Sequence, residues 1–393
     1  MLDAIGSRSE SLKKCQVQNS MIEIKEIFSK KELKSFVTFP FELYRNCDAW
    51  VPPIIDEELK TLDKDSNPVF KNAKAHFFLA IKNNKIIGRV AAIINWIEVN
   101  EQNIKKIRFG WFDVIDDIEV TRALLDAVKS VGLKNNLDHI EGPMGFSNLD
   151  KVGVVTEGFD HIANMITWHN YPYYSQHFEQ LGYHIGKGYS ESKMKFENIK
   201  PEFFYRIQEL VKKRYQLRPV NFTSTKQIVP YIDDMFEVFS KSYAVLSSYV
   251  DISQEQRTYF KKKFIGFVNP EYVKFVVDSN NDLVGFGIVT PSYAKALQKI
   301  RGRLFPFGIF QLLKAKKYSK EVTFYLIGVL PEYQNKGITA IIFNEFHKTF
   351  SKKGITMCIR GPELDDNEAI NKLWKNFKPE VFKRRCTYRK AIL

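Results

Sequence analysis

The sequence predicts an α/β (α+β) chain built from two tandem domains of one plan, each a mixed, twisted sheet flanked by helices. Three observations predict it. The chain has 393 residues, 44% of them apolar, which suits two cores better than one. The order hairpin, strand, helix, strand occurs twice. One apolar strand, Phe324 to Leu330, passes through a short polar loop into an amphipathic helix.

The elements follow in order. Residues 1–20 are polar and unpatterned and read as a disordered leader, with Met21 as a natural start. Ile22 to Ala49 reads as helix, with Leu33, Phe36 and Leu43 inward. Trp50-Val51-Pro52-Pro53 must be extended, because proline forbids helix there. Phe77–Ile81 and Ile86–Ile94 form a hairpin about Asn83-Asn84. Phe109–Val114 is a strand, Val120–Val131 a helix, and His139–Pro143 ends a further strand. The plan then repeats. Val273–Val277 and Leu283–Val289 make the second hairpin, Phe324–Val329 leads into its helix, and Thr356–Pro362 is the last strand of the set. Equating Gly110 with Gly328 and Gly142 with Gly361 aligns the copies. The domains run over 21–198 and 199–393, joined at Asn198–Pro201.

Chemistry concentrates at Gln334-Asn335-Lys336-Gly337-Ile338-Thr339. The first N–H groups of a helix have no intrahelical acceptor and carry partial positive charge, so a strand–loop–helix unit is an anion site. Gly337 lets the backbone approach the anion, and Lys336 adds a full charge. The alternative is a solvated strand–helix turn. The first copy has Asp116, Asp117 and Glu119 at the corresponding place, which repel a diphosphate.

Gln334-x-x-Gly337-x-Thr339, with Val329 and Pro331 before it, resembles the pyrophosphate loop of the GCN5-related N-acyltransferase (GNAT) family. Thr339 departs from the small residue usual there. The resemblance implies an acyl-coenzyme A donor, or an acyl carrier protein, with no metal. It implies an oxyanion donor about Gly328 and Val329 and direct transfer to an amine. Asn367 and Trp374 fall where the family often has Asn and a tyrosine acid. Indole donates a hydrogen bond but does not usefully transfer a proton. Helix capping is the other role open to Asn367.

Phe39-Pro40-Phe41, Trp50–Pro53, Asn67-Pro68, Gly88–Ile93 and Arg301–Gly308 resemble a bacterial subfamily of tandem acyltransferase-like proteins, the ceramide synthases. That resemblance spans residues 21–393 and implies N-acylation of a long-chain sphingoid base. Two other functions stay open: an acetyl-coenzyme A-dependent N-acetyltransferase of a small soluble amine, and a non-catalytic acyl-thioester-binding or membrane-adaptor protein.

The attacking amine must lose a proton. By residue type the candidates are His169, Tyr173, Tyr174, Glu157 and Asp160 in the first copy and Glu332 after the second copy's strand. His169 beside aromatics also suits a packing role, and Glu332 a surface turn. Cys358 reads as a buried thiol rather than an acyl carrier.

The second copy has an insertion, 292–320, with eight Lys or Arg residues and no carboxylate, interleaved with apolar residues. Gly302, Pro306 and Gly308 divide it into two short amphipathic helices. It suits an anionic membrane surface or an acidic acyl carrier protein; a packed helical cover is the alternative. The net charge of +14 agrees with an acidic partner. No helix-turn-helix, zinc-finger or RNA-binding aromatic pattern occurs, so nucleic acid ranks low. No run approaches the ~20 apolar residues of a membrane span. Four cysteines without metal or disulfide spacing suit a reducing cytoplasm; with the insertion, the expected address is cytoplasmic or peripheral on the inner membrane.

Overall fold

In a computed structural model of the chain, residues 21–246, 249–266, 268–375 and 377–392 are described. The leader expected over 1–20 lies outside them. The first half carries β1 (Glu23–Glu26), β2 (Ala73–Lys82), β3 (Lys85–Asn95), β4 (Lys106–Val114), β5 (His139–Gly142), β6 (Val154–Glu157) and β7 (His184–Lys195). The second carries β8 (Arg218–Asn221), β9 (Val273–Val277), β10 (Leu283–Pro291), β11 (Glu321–Val329), β12 (Met357–Leu364) and β13 (Glu380–Ala391). The fold is mixed α/β, as expected.

The halves share one sheet, in the order β1-β2-β3-β4-β5-β13-β7-β12-β11-β10-β9-β8, with β6 also on β13. The last strand of each half sits against the other half: β13 pairs with β5, and β7 pairs with β12. Buried Arg385 on β13 fixes this exchange. It binds Glu191 of β7 at 2.6 Å and donates to the carbonyls of Val152, Gly153 and Trp168. A buried pair with its remaining donors satisfied avoids the large cost of an uncompensated charge.

One predicted element is wrong. Ile22–Ala49 is not one helix: Glu23–Glu26 is a strand on β2, and α1 spans Lys30–Leu43. Ser29 and Glu32 form a capping box there, which satisfies two helix-end N–H groups and starts the helix eight residues late. The hairpin at Asn83-Asn84 forms, both residues having positive φ. The insertion forms two helices, as expected.

The alignment of the copies also changes. Gly88 pairs with Val114, and Gly285 pairs with Val329. Val114, not a residue near Gly110, is therefore in register with the loop strand's end. The matching glycines misled, since each answers a local contact. A Cβ at Gly110 would lie 2.4 Å from the Met144 carbonyl, and one at Gly328 2.6 Å from Phe286.

Further helices include α2 (Ile118–Lys134), α3 (Tyr173–Gln180), α4 (Pro201–Tyr215), α5 (Ile232–Tyr243), α6 (Ala294–Ile300) and α7 (Gly308–Tyr318). They are followed by α8 (Ile338–Lys353) and α9 (Glu368–Lys375). Each half packs helices on both faces of its sheet, giving two apolar clusters per half. A fifth cluster, with Val51, Ile54, Ala163, Tyr293, Leu297 and Leu312, joins the halves.

Candidate functional site

β11 and β12 run parallel only from Glu321–Phe324 against Met357–Arg360. Beyond Phe324 they part. The register of β11 on β10 slips at the same place, leaving Tyr325 as the extra residue of a bulge. The strand from Tyr325 to Val329 thus keeps β10 on one edge and faces a gap on the other.

Strand geometry says which groups face the gap. The N–H of Leu330 donates to Val284 on β10. The carbonyls of Val329 and Ile327 point the other way, accepting from Gln334 Nε2 at 3.1 Å and the Tyr243 hydroxyl at 3.3 Å. Since N–H and C=O of one strand residue share a side, the N–H groups of Ile327 and Val329 also face the gap. Of Gly328 and Val329, only Val329 turns its N–H to the gap. Gly328 has a packing reason: a Cβ there would meet Ser242 Oγ at 2.8 Å and hold α5 away.

At the end of β11, Pro331–Tyr333 makes one 3₁₀ turn, and Gln334, Asn335 and Lys336 are exposed. Gly337 is the N-cap of α8, with φ +80° and no side-chain cap. A Cβ there would meet Val211 of α4 at 2.9 Å, so packing as well as conformation requires glycine. Asn335 also has positive φ. The N–H groups of Ile338 and Thr339 have no described acceptor, while the Ile338 side chain is buried in the core. The Lys336 ammonium lies 5.2 Å from the Tyr215 ring centre and 5.3 Å from that of Tyr333. An uncapped helix N-terminus beside a lysine has the geometry that suits an anion.

The remaining expected residues scatter. Trp374 does not line the gap. It is buried among Phe324, Phe343 and Phe377, because α9 turns its apolar face to the core. Asn367 Oδ1 accepts from Ile370 N at 3.3 Å, the capping geometry at the start of α9. Tyr173 and Tyr174 lie on α3 in the first half, hydroxyls on Val114. Burial pushes both phenols up, which leaves them no role as bases near neutrality. His169 Nε2 sits 3.2 Å from Cys47 Sγ, and burial, with Lys383 and Arg385 nearby, lowers its pKa to about 3. A neutral imidazole that resists protonation is a poor proton acceptor. Glu157 is exposed and paired with Arg384, and Glu332 is exposed on the turn. Cys358 is buried, its thiol pushed up to about 12 by burial.

Sequence reading missed Glu363. It stands on β12 beyond the last residue paired with β11. Its Oε1 accepts from Trp374 Nε1 at 3.0 Å, and its Oε2 lies 3.0 Å from Arg360 Nε, too poorly aligned for a hydrogen bond. Burial raises its pKa to about 7 against the opposing effects of Arg360 and Trp374. Its charge also helps raise Tyr243, the phenol seated on Ile327. The only sequence signal was the Trp-for-Tyr exchange at 374, which reads as a loss until the indole is seen holding a carboxylate.

No family profile matches the chain. It is 25% identical to "Protein YghO" of Escherichia coli (strain K12), over 94% of this chain and 95% of that one. It is 22% identical to "Bacterial ceramide synthase" of Caulobacter vibrioides (strain NA1000 / CB15N), over 95% and 98%. Among solved structures, a tandem GNAT protein from the clavulanic acid biosynthesis pathway superposes with TM-score 0.57 at 10% identity, covering 95% of this chain and 99% of that one. A GCN5-related N-acetyltransferase from Sphaerobacter thermophilus gives 0.50 at 9% identity, covering 94% and 96%.

The chain has the tandem GNAT fold. Both halves have the parted strands and the slipped register, and only the second has the uncapped helix. Among the described residues no group of His, Cys, Asp or Glu is placed to hold a metal ion, and no helix is long and apolar enough to cross a membrane.

Proposed function

We propose that the protein is an N-acyltransferase that moves an acyl group from acyl-coenzyme A to the amine of a long-chain amphiphile. The class rests on the fold together with the similarity to a bacterial ceramide synthase, matched over 98% of its length. One observation supports the placement of the donor: Gln334, in the loop that leads to the uncapped N-terminus of α8, donates to the Val329 carbonyl on the edge of β11 that faces the gap. The diphosphate docks on Gln334–Thr339. The thioester carbonyl accepts from Val329 N–H, which stabilises the oxyanion as the amine attacks. Glu363 takes the amine's proton, its pKa of about 7 being suited to that exchange near neutrality. The C–S bond breaks, an amide forms, and coenzyme A leaves as the thiol or thiolate.

The lipid nature of the amine is supported by the similarity to a bacterial ceramide synthase and by the insertion. Phe305, Phe307, Phe310 and Leu313 are 81%, 74%, 62% and 53% exposed. Arg301, Arg303, Lys314 and Lys317 are exposed around them. Exposed aromatics ringed by cations suit an anionic bilayer surface.

Coenzyme release is measured with palmitoyl- and acetyl-coenzyme A, each against sphinganine and a small soluble amine. Turnover with the palmitoyl donor and sphinganine is the expected result. Preference for the acetyl donor and small amine replaces this reading with a small-molecule acetyltransferase. Coenzyme binding without release by any amine replaces it with a binding protein. Palmitoyl-acyl carrier protein as a third donor arm identifies the physiological carrier.

A further inference from the structure

Between the halves lies a cavity of about 160 Å³. A buried water needs roughly 10–15 Å³ measured this way, so the space holds on the order of ten waters and is a ligand-sized site. Both halves build it through the same irregularity. Tyr325, the bulge residue of β11, lines one side. Trp111, where the register of β4 slips on β3 and φ is +44°, lines the other. Ile327, whose N–H faces the gap, is two residues from Tyr325, or about 7 Å along the strand.

The walls differ in kind. The extended Val51–Ile54 stretch, with Leu297 of α6 and Leu312 of α7, makes an apolar wall and roof. The opposite end carries Glu58, Asp150, Lys151 and Lys263. Three of these are already engaged. Glu58 accepts from Trp111 Nε1. Asp150 accepts from Ser147 N at 2.9 Å and Ser147 Oγ at 3.1 Å. Lys263 donates to Thr61 Oγ1 at 2.9 Å. The Lys151 ammonium has no hydrogen bond or ion pair with any described residue, and burial lowers its pKa. Lys151 is half-buried, and Glu58 and Asp113 oppose that effect without pairing with it, so its ammonium is placed to donate to a ligand oxygen.

We propose that this cavity is the acceptor site: the chain of a single-chain amphiphilic amine lies along Val51–Ile54 beneath α6 and α7, and Lys151 donates to a hydroxyl oxygen of its head group. Asp150 and Glu58 accept from the head group's own donors. Selection for a hydroxylated head then comes from Lys151, since a plain alkylamine leaves that ammonium unmatched. The assignment rests on the amphiphile reading above, and it places the roof of the cavity on the two helices that flank exposed Phe305 and Phe307, the second of which carries Phe310.

Direct binding tests it without any acyl donor. Sphinganine and octadecylamine are titrated against the full chain, reading the fluorescence of Trp111 and Trp168, both of which line the cavity. Sphinganine is expected to bind at least tenfold tighter, and Lys151→Met to remove that preference while leaving calorimetric coenzyme A affinity unchanged. Leu312→Trp, which fills the roof, is expected to weaken both amines. Unchanged discrimination in Lys151→Met overturns the head-group assignment. Weaker palmitoyl-coenzyme A binding with unchanged amine binding in Leu312→Trp reassigns the cavity to the acyl chain. If both amines bind as expected but no thiol is ever released, the cavity assignment stands and the transferase reading falls.

Discussion

Val114 and Val329 end the same strand in the two halves, and their surroundings differ at every point that matters for a thioester. Val114 N–H is 2.9 Å from the Tyr174 hydroxyl, and its carbonyl accepts from Tyr173 at 2.6 Å. Tyr44 and Asp113 close the network behind them. Val329 keeps its carbonyl on Gln334 and its N–H toward open space. The helices that follow differ in the same sense. Asp117 caps α2 with its own carboxylate, accepting from Glu119 N at 3.0 Å, whereas Gly337 leaves α8 uncapped. One half satisfies these amides internally; the other leaves them without a described partner. A duplicated fold can retire a site with a few side chains that supply the missing hydrogen bonds, with no change of backbone plan.

The largest expected effect tests the open half. Glu363→Gln should lower kcat by about 10²–10³ if the carboxylate is the base, with calorimetric coenzyme A affinity unchanged. In the wild type kcat should rise with pH through about 7, since only the carboxylate form accepts a proton, and the variant should lose that limb. The stability sign is fixed too. The folded pKa lies above the ordinary carboxylate value, so the protonated side chain's contribution is full below about 4.5 and is lost as pH rises through 7. Glu363→Gln should therefore gain stability relative to wild type at pH 8 compared with pH 5, read by urea unfolding.

Next comes the insertion, a feature of the second half alone. Arg303, Lys314 and Lys317 are exposed, whereas Lys316 donates to the Gly266 carbonyl at 3.0 Å and is better left alone. Each cation near an anionic bilayer contributes about 1 kcal/mol, so changing the three to Glu should cut partitioning onto phosphatidylglycerol vesicles by about a hundredfold or more. High salt should shrink the difference, and equal sedimentation of variant and wild type removes the membrane role.

A smaller effect is expected at the loop. Lys336→Glu should weaken coenzyme A about tenfold, the loss of one charge-assisted contact. It is a cleaner test than a charge at Gly337, where any side chain meets Val211 and a positive φ.

The smallest concerns the closed half. Tyr174→Phe leaves Val114 N–H without its partner and should cost about 1–3 kcal/mol in urea unfolding. Calorimetry should still give one coenzyme A per chain; a second equivalent would erase the distinction between the halves.

Periodicity, turn residues and one loop motif determined a good deal. The hairpins, the strand before Gln334, the helix after Gly337 and the two helices of the insertion are local, and local patterns specify them. Even the unlikeness of the halves was visible, as carboxylates opposite a lysine and a glycine. What only the tertiary structure decided depends on partners far apart in the chain. The exchange of β7 and β13 joins residues about two hundred positions apart. Tyr174 reaches Val114, and Trp111 meets Tyr325 across a cavity formed by neither half alone. The glycine match misplaced the register because glycines mark close approach, not homologous position. His169 lost its candidacy through burial, which no residue type announces. Chemical type is written in the sequence; which hydrogen bonds are left unmade, and therefore where a ligand binds, is set by packing.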